Sequence, residues 1–151
     1  MRRLTISVDD ELADTFDGLV REMGYENRSE AFRDLVRQAL GNARFREKTA
    51  KHCVGALSYV YNHHERQLAS RLTSMQHDHH DLAVSTMHAH LDHENCIETV
   101  ILRGPTEAVM QFADAVKAQP GVRHGSFNPI PIEIESPGPK THRHIHAKPA
   151  V

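Results

Sequence analysis

The chain has 151 residues, of which 39% are hydrophobic and 25% charged, so it is long enough for one ordinary domain or two small ones. No apolar run approaches the roughly 20 residues that cross a bilayer, and Met1-Arg2-Arg3 leads directly into alternating sequence without a secretory leader, which excludes a membrane protein and predicts a cytoplasmic one. The net charge of −2 gives no general attraction for nucleic acid, so any DNA binding has to come from a local basic patch.

Residues 2–8 alternate strictly between apolar and polar side chains, which predicts a short strand with one polar face. That face carries Arg3, Thr5 and Ser7. A single short strand leaves its backbone groups unpaired and buries too little surface to be stable alone. The sequence therefore predicts that this strand pairs with its twin in a dimer.

Two amphipathic helices follow this strand. The first begins at the capping sequence Asp9-Asp10-Glu11 and ends before Gly24, and the second begins near Asn27 or Ser29 and is expected to end at Gly41. The polar residues 42–51 suit either a linker or an extension of the second helix. We place the first domain at 1–44 and the linker at 45–52.

Residues 53–132 are predicted to form a second domain in the order strand, helix, strand, strand, helix, strand. The predicted strands are 54–61, 82–91, 96–102 and 122–130, and the predicted helices are 65–78 and 107–119. This βαββαβ order is that of a ferredoxin-like sandwich, in which two helices lie on one side of an antiparallel sheet, so the whole chain is assigned to the α+β class. Residues 133–151 are predicted to be a disordered tail that contains His142, His144 and His146.

The polar face of the first strand fits a DNA-reading surface. A two-stranded ribbon can enter the major groove, where Arg3 can pair with guanine and Thr5 or Ser7 can serve donor or acceptor edges. The same alternation also fits a half-exposed strand that meets only solvent. The short strand, two capped helices and a linker together favour the DNA-binding interpretation.

Histidine is the outlying residue type, with 13 in the chain, most of them within residues 63–93. His88 and His90 alternate on one predicted strand, and Cys96 follows beyond a short turn, so a hairpin brings the three side chains together. Two imidazoles and one thiolate suit late first-row metals rather than calcium or magnesium. The pattern therefore predicts a metal site at this hairpin.

A fourth ligand is expected from the end of the preceding helix. His77 is the leading candidate, and His79 and His80 are alternatives. Histidines on an exposed strand also occur as solvated polar side chains, and the ligand types alone leave zinc, copper and nickel open.

Three other functions compete with a metal-responsive regulator. A metal-dependent hydrolase is disfavoured, because His64-Glu65-Arg66-Gln67-Leu68 lacks the second histidine of His-Glu-x-x-His. A metal carrier or store would use the histidines without touching DNA. A regulator with the same DNA-binding domain could instead sense another metal or a small organic effector.

The N-terminal arrangement resembles the ribbon-helix-helix family, in which an intertwined dimer offers a strand pair to DNA. By that resemblance Arg28 and Ser29, at the start of the second helix, hold a DNA phosphate. Free backbone amides at a helix N-terminus favour such a contact physically as well.

The two halves together resemble the NikR family of nickel-responsive repressors over residues 2–130. The spacing of a histidine, ten residues, His-x-His, five residues and a cysteine is a demanding pattern. The matching segments are Asn27-Arg28-Ser29-Glu30-Ala31, Leu57-Ser58-Tyr59-Val60-Tyr61, Leu68-Ala69-Ser70-Arg71, His77-Asp78-His79-His80-Asp81-Leu82, His88-Ala89-His90 and Cys96.

This second resemblance implies a ribbon-helix-helix domain joined to an ACT-like domain for metal binding and tetramerisation. Ni(II) would be bound in a plane by His88, His90 and Cys96 of one subunit and by His77 of a neighbouring subunit. The protein would be a homotetramer, a dimer of dimers, that represses transcription when Ni(II) promotes its binding to a double-stranded DNA operator.

The resemblance also implies roles for four further residues. Glu98 would support the metal ligands through hydrogen bonding, and Glu30 and Asp34 would contact a cation near the DNA-binding domain. Arg66 would touch a DNA phosphate from the sensor domain.

Overall fold

The computed structural model describes residues 3–135 and 146–150. The chain divides into two compact units, residues 1–42 and 43–151. The predicted α+β class is confirmed, because helices form the first unit and a five-stranded antiparallel sheet with helices forms the second. None of the helices in the described ranges is both long and apolar enough to cross a membrane.

The first unit contains helix α1, Asp10–Glu22, and most of helix α2, Arg28–Arg46. The predicted cap of α1 is confirmed, since the Asp9 carboxylate accepts a hydrogen bond of 2.8 Å from the Leu12 amide. Gly24, with a φ of 74°, follows the end of this helix in the left-handed region that favours glycine. Of the two predicted caps for α2, the structure uses Asn27, whose side-chain oxygen accepts from the Glu30 amide at 3.0 Å.

Helix α2 does not end at Gly41, so that prediction is wrong. The helix continues to Arg46 and includes the first residues of the predicted linker 45–52. One glycine inside a helix costs only about 1 kcal/mol. The added turns place Phe45 against the hydrophobic core of the second unit, and that burial offsets the cost.

Residues 3–9 form no strand in the described chain, whereas the sequence predicts one over 2–8. A β-strand is defined by its hydrogen bonds to a neighbouring strand. The predicted neighbour of residues 2–8 is the same segment of a second subunit in a dimer. The apolar side chains of this segment are exposed to solvent in one chain, with Leu4, Ile6 and Val8 exposed by 68%, 58% and 52%.

The second unit confirms the predicted βαββαβ order and adds one strand. Its sheet has the order β2-β3-β1-β4-β5, and its pairs are antiparallel. The elements are β1 His52–Asn62, α3 Arg66–Asp78, β2 Ala83–His90, β3 Asn95–Pro105, α4 Thr106–Lys117, β4 Arg123–Glu135 and β5 His146–Pro149.

The core of the second unit lies between the two helices and one face of the sheet. Leu68 and Leu72 of α3 and Val109 and Phe112 of α4 are buried against this face. Along β1 and β3 every second residue is buried, so the same face also receives Cys53, Leu57, Tyr59, Tyr61, Cys96, Glu98, Val100 and Leu102.

Part of the predicted disordered tail 133–151 forms strands, namely residues 133–135 and 146–149, while residues 136–145 lie outside the described chain. Residues 133–135 belong to β4, and His146–Pro149 pair with β4 in antiparallel register. The pairing places Ala147 opposite Ile134 and Pro149 opposite Ile132, so apolar side chains meet across the ladder. His146 lies in this strand, while His142 and His144 lie outside the described residues.

Candidate metal centre

The pairing of β2 with β3 places three of the four predicted ligands, His88, His90 and Cys96, on one face of the sheet. His90 lies directly opposite Cys96, and His88 lies opposite Glu98. The imidazole rings of His88 and His90 have centroids 5.1 Å apart and stand nearly perpendicular to each other. Two imidazoles and one thiol, the predicted ligand groups, therefore belong to neighbouring positions of a single hairpin.

Cys96 is fully buried beside the central strand. Its thiol donates a hydrogen bond of 3.4 Å to the backbone oxygen of Tyr61, which faces it across the β1–β3 ladder. Burial raises the pKa of the Cys96 thiol above its ordinary value, so the group is a neutral thiol until a cation stabilises the thiolate.

Glu98 is the buried charged residue next to the predicted ligands. Its carboxylate accepts hydrogen bonds from the Tyr59 hydroxyl, from Gln76 Nε2 at 2.7 Å and from the Tyr61 hydroxyl at 3.3 Å. Burial and the neighbouring carboxylate raise the pKa of both tyrosines, which keeps them protonated as donors. These donors satisfy the carboxylate, which would otherwise be costly to bury.

The same carboxylate also reaches His88. Glu98 Oε2 lies 3.4 Å from His88 Nδ1. When His88 donates its Nδ1 proton to Glu98, the lone pair of its imidazole is on Nε2, the atom left available for a metal. Glu98 thus orients one ring nitrogen and leaves the other free, which fits a bound cation.

Gln76 connects this network to helix α3. Its amide donates to Glu98, and its Oε1 accepts a hydrogen bond of 2.7 Å from the Thr86 hydroxyl of β2. The last turn of α3 is thereby tied to both strands of the hairpin. His77, the next residue along α3, is exposed.

The described part of one chain does not assemble the four predicted ligands into a single site. Among residues 3–135 and 146–150, no three His, Cys, Asp or Glu side chains converge closely enough to hold a metal ion. The donor types nevertheless fit a nickel centre, because imidazole and thiolate are the ligands that late first-row metals prefer.

His63 is a neighbour of the site that the sequence alone did not indicate. Its ring centroid lies 5.0 Å from that of His90, and its buried Nδ1 has no hydrogen-bond partner among the described residues. Burial and the adjacent His64 lower the pKa of His63. The sequence does show that His63 directly follows the predicted strand β1. That position indicates proximity to the site only once the register between β1 and β3 is known.

The predicted DNA-reading residues Arg3, Thr5 and Ser7 are all exposed in the first unit. Arg28, at the start of α2, forms a two-pronged ion pair with Asp17 of α1. This hydrogen-bonded contact holds the pKa of Asp17 below its ordinary value. Ser29 follows Arg28 in the first turn and is also exposed.

Glu30 and Asp34, two further predicted residues, belong to helix α2 within the first unit. Glu30 forms an ion pair with Arg33 one turn further along α2. Asp34 accepts hydrogen bonds from the Tyr25 hydroxyl at 3.0 Å and from Arg37 at 3.4 Å.

Arg66 begins α3 in the second unit. It lines a shallow groove on the outer side of this helix together with Ser70, Arg71 and Gln119.

Comparison with known proteins relates both units to the same kind of regulator. Residues 54–130 match the model of the NikR C-terminal nickel-binding domain, and residues 2–43 match the ribbon-helix-helix protein model of the copG family. A putative nickel-responsive regulator of Brucella ovis is 47% identical over 132 residues, which are 87% of this chain and all of the relative. Nickel-responsive regulators of Brucella suis biovar 1 and Brucella melitensis biotype 1 are 47% and 46% identical over the same shares.

Proposed function

Because this chain belongs to the NikR family of nickel-responsive regulators, we propose that it is a cytoplasmic repressor whose binding to an operator in double-stranded DNA is promoted by Ni(II). The observation that carries the proposal is the β2–β3 register, which places His90 opposite Cys96 and His88 beside Glu98. A site built from two imidazoles, one thiol and an orienting carboxylate has a clear use in metal binding.

In this proposal His88, His90 and Cys96 of one subunit and His77 of another bind Ni(II). The exposure of the three histidines of this set supports a ligand from outside the chain. The His88 side chain is 36% exposed, and His90 and His77 are also open to solvent. Bound Ni(II) would supply a cation that stabilises the Cys96 thiolate and joins two subunits.

A homotetramer supplies the second subunit that contributes His77 to the metal site. It also supplies the second strand that pairs with residues 2–8 in the DNA-binding arm, the name used here for the first domain. The sheet face opposite the helices is open in one chain, and large apolar side chains project from it, including Met87, which is 71% exposed, and Ile130, which is 44% exposed. Exposed apolar patches of this kind mark protein interfaces. We place the contact between dimers at the ACT-like second unit and the strand pairing within each dimer at residues 2–8.

DNA recognition in this proposal uses the paired ribbon. Arg3, Thr5 and Ser7 read base edges in the major groove, and Arg28 with Ser29 holds a phosphate at the start of α2. Metal bound between subunits favours those arrangements of the arms that engage both halves of an operator. This mechanism requires the Ni(II) site to differ in affinity between the competing arrangements.

The deciding experiment selects DNA from a random duplex library with the purified protein at fixed salt, once with Ni(II) and once with a chelator. We expect enrichment of a two-part symmetric sequence only with Ni(II), and loss of that enrichment in an Arg3→Ala variant that still binds Ni(II). Equal DNA affinity in both conditions would contradict Ni(II) control. Tight Ni(II) binding without any selected DNA would favour a metal carrier.

Nickel affinity should rise with pH. The Cys96 thiol has to lose its proton before the sulfur can bind a metal, and burial raises the pKa of that thiol, so protons compete with Ni(II) throughout the neutral range. Below the raised pKa, each unit of pH lost should weaken binding by about tenfold through this group alone. Competition titrations from pH 6 to 9 test the sign, and an affinity that is flat or falls with pH would contradict thiolate ligation.

A further inference from the structure

Strand β5 lies outside the part of the chain that the family models cover. Those models match residues 2–43 and 54–130, whereas β5 is His146–Pro149. The Brucella relatives are matched in full by 132 residues, which leaves part of this 151-residue chain without a counterpart in them. A role for β5 therefore has to be argued from its own contacts.

The end of β4 depends on β5 for its pairing. The last β4 residue that pairs with β1 is Ile132, opposite His52, so Glu133–Glu135 overhang the central strand. The Ala150 amide donates to the Pro131 oxygen at 2.9 Å, and antiparallel alternation then makes Glu133 with Lys148 and Glu135 with His146 the next hydrogen-bonded pairs. Lys148 also forms an ion pair of 2.5 Å with Glu135.

The segment Glu133–Glu135, here called the β4 overhang, contacts the C-terminal end of helix α2. Glu133 Oε1 lies 3.3 Å from Arg44 Nη1. The Arg44 backbone oxygen is the acceptor that closes this helix, since it receives the Thr49 amide at 2.9 Å and the Ala50 amide at 3.3 Å. Arg44 is thus held by its side chain to the overhang and by its carbonyl to the chain that leads into β1.

We propose that residues 146–150 act as a strap that keeps the β4 overhang in the sheet and, through Glu133 and Arg44, steadies the C-terminal end of α2. The strap works within one chain and needs neither metal nor DNA. It adds to this chain a support for α2 that lies outside the family-matched residues. Because it does not depend on the proposed function, it can be tested in the metal-free protein.

Proline scanning of β5 tests the pairing in the full chain. Lys148→Pro removes the amide that faces Glu133, whereas Ala147→Pro removes an amide that points away from β4 and serves as the matched control. Lys148→Gln removes only the charge. We expect amide hydrogen exchange at Glu133 and Glu135 to become at least about tenfold faster in Lys148→Pro and to change little in the two controls. Exchange at Val100 in the centre of the sheet reports whether each variant is folded.

Equal exchange rates in Lys148→Pro and Ala147→Pro would overturn the strap. Its effect on α2 is tested at Thr49, whose amide bonds to the Arg44 carbonyl. An exposed ion pair is weak, so Lys148→Pro and Glu133→Gln should each accelerate exchange at Thr49 by about two- to fivefold. An unchanged rate at Thr49 alongside faster exchange at Glu133 would show that β5 completes the sheet edge and does not support α2.

Discussion

Replacing Cys96 with alanine is expected to lower the Ni(II) affinity of the protein by at least about a thousandfold, equivalent to about 4 kcal/mol. The variant keeps His88 and His90 but loses the only sulfur on this face of the hairpin, and with it the proposed anionic ligand that would balance the metal charge. The absorption band from thiolate-to-nickel charge transfer should disappear. Competition titration with a chelator measures the affinity.

Cys53→Ala is the matched control for this prediction. Cys53 is also fully buried on the helix-facing side of the sheet. It lies opposite Gly104 near the start of β1, whereas Cys96 lies opposite Tyr61 near the end of that strand. The control should retain the charge-transfer band and the affinity, and circular dichroism of both variants reports their folding. A Cys96→Ala protein with an unchanged band would exclude Cys96 as a ligand.

A mixing experiment tests whether the site is shared between subunits. Neither a Cys96→Ala protein nor a His77→Ala protein should form a complete site alone. Unfolded together and refolded, they should form some complete sites at contacts where one subunit contributes His77 and the other contributes Cys96. No gain in the nickel band over the separate proteins would place all four ligands in one chain.

Replacing Glu98 with alanine is expected to weaken both the fold and the metal site. The change leaves Tyr59, Tyr61 and Gln76 without their shared acceptor, and each buried donor left unpaired costs about 1–3 kcal/mol. We expect the free energy of unfolding in urea to fall by about 3 kcal/mol after partial relaxation. Without the carboxylate beside its Nδ1, His88 is no longer oriented, and Ni(II) affinity should fall by about ten- to a hundredfold.

Glu94→Ala provides the comparison, because Glu94 is an exposed carboxylate in the turn between β2 and β3. This variant should unfold at the same urea concentration as the parent and bind Ni(II) equally well. If Glu98→Ala matched it in both measurements, the buried network would have no role in the site. Fluorescence-detected urea unfolding of the metal-free proteins separates the effect on stability from the effect on binding.

Local sequence patterns were sufficient to predict most of the elements. The Asp9 cap, the helical spacing in α1 and the strand over 54–61 each depend on neighbouring residues, and all three are confirmed. The joint placement of His88, His90 and Cys96 on one face was also predictable, since a hairpin with a known turn fixes which residues lie opposite one another.

Features that depend on distant contacts were harder to predict. Gly41 signals the end of a helix, but packing of Phe45 against a core built from later residues extends the helix past it. Proline and histidine near the C-terminus suggested a tail without structure, yet the unpaired edge of β4 provides a partner for His146–Pro149. The contact of Gln76 with Glu98 and the approach of His63 to His90 likewise required the tertiary fold.

The ion pair between Arg28 and Asp17 has a consequence for the salt dependence of DNA binding. A free arginine that meets a phosphate releases condensed counterions from the DNA, and each such contact steepens the dependence of affinity on salt. Arg28 already has a carboxylate partner, and Arg33 and Arg37 pair with Glu30 and Asp34 in the same way. When a DNA phosphate replaces Asp17 as the partner of Arg28, one anion is exchanged for another. The slope of log affinity against log salt concentration should therefore be shallower than the number of arginines in the first unit would predict.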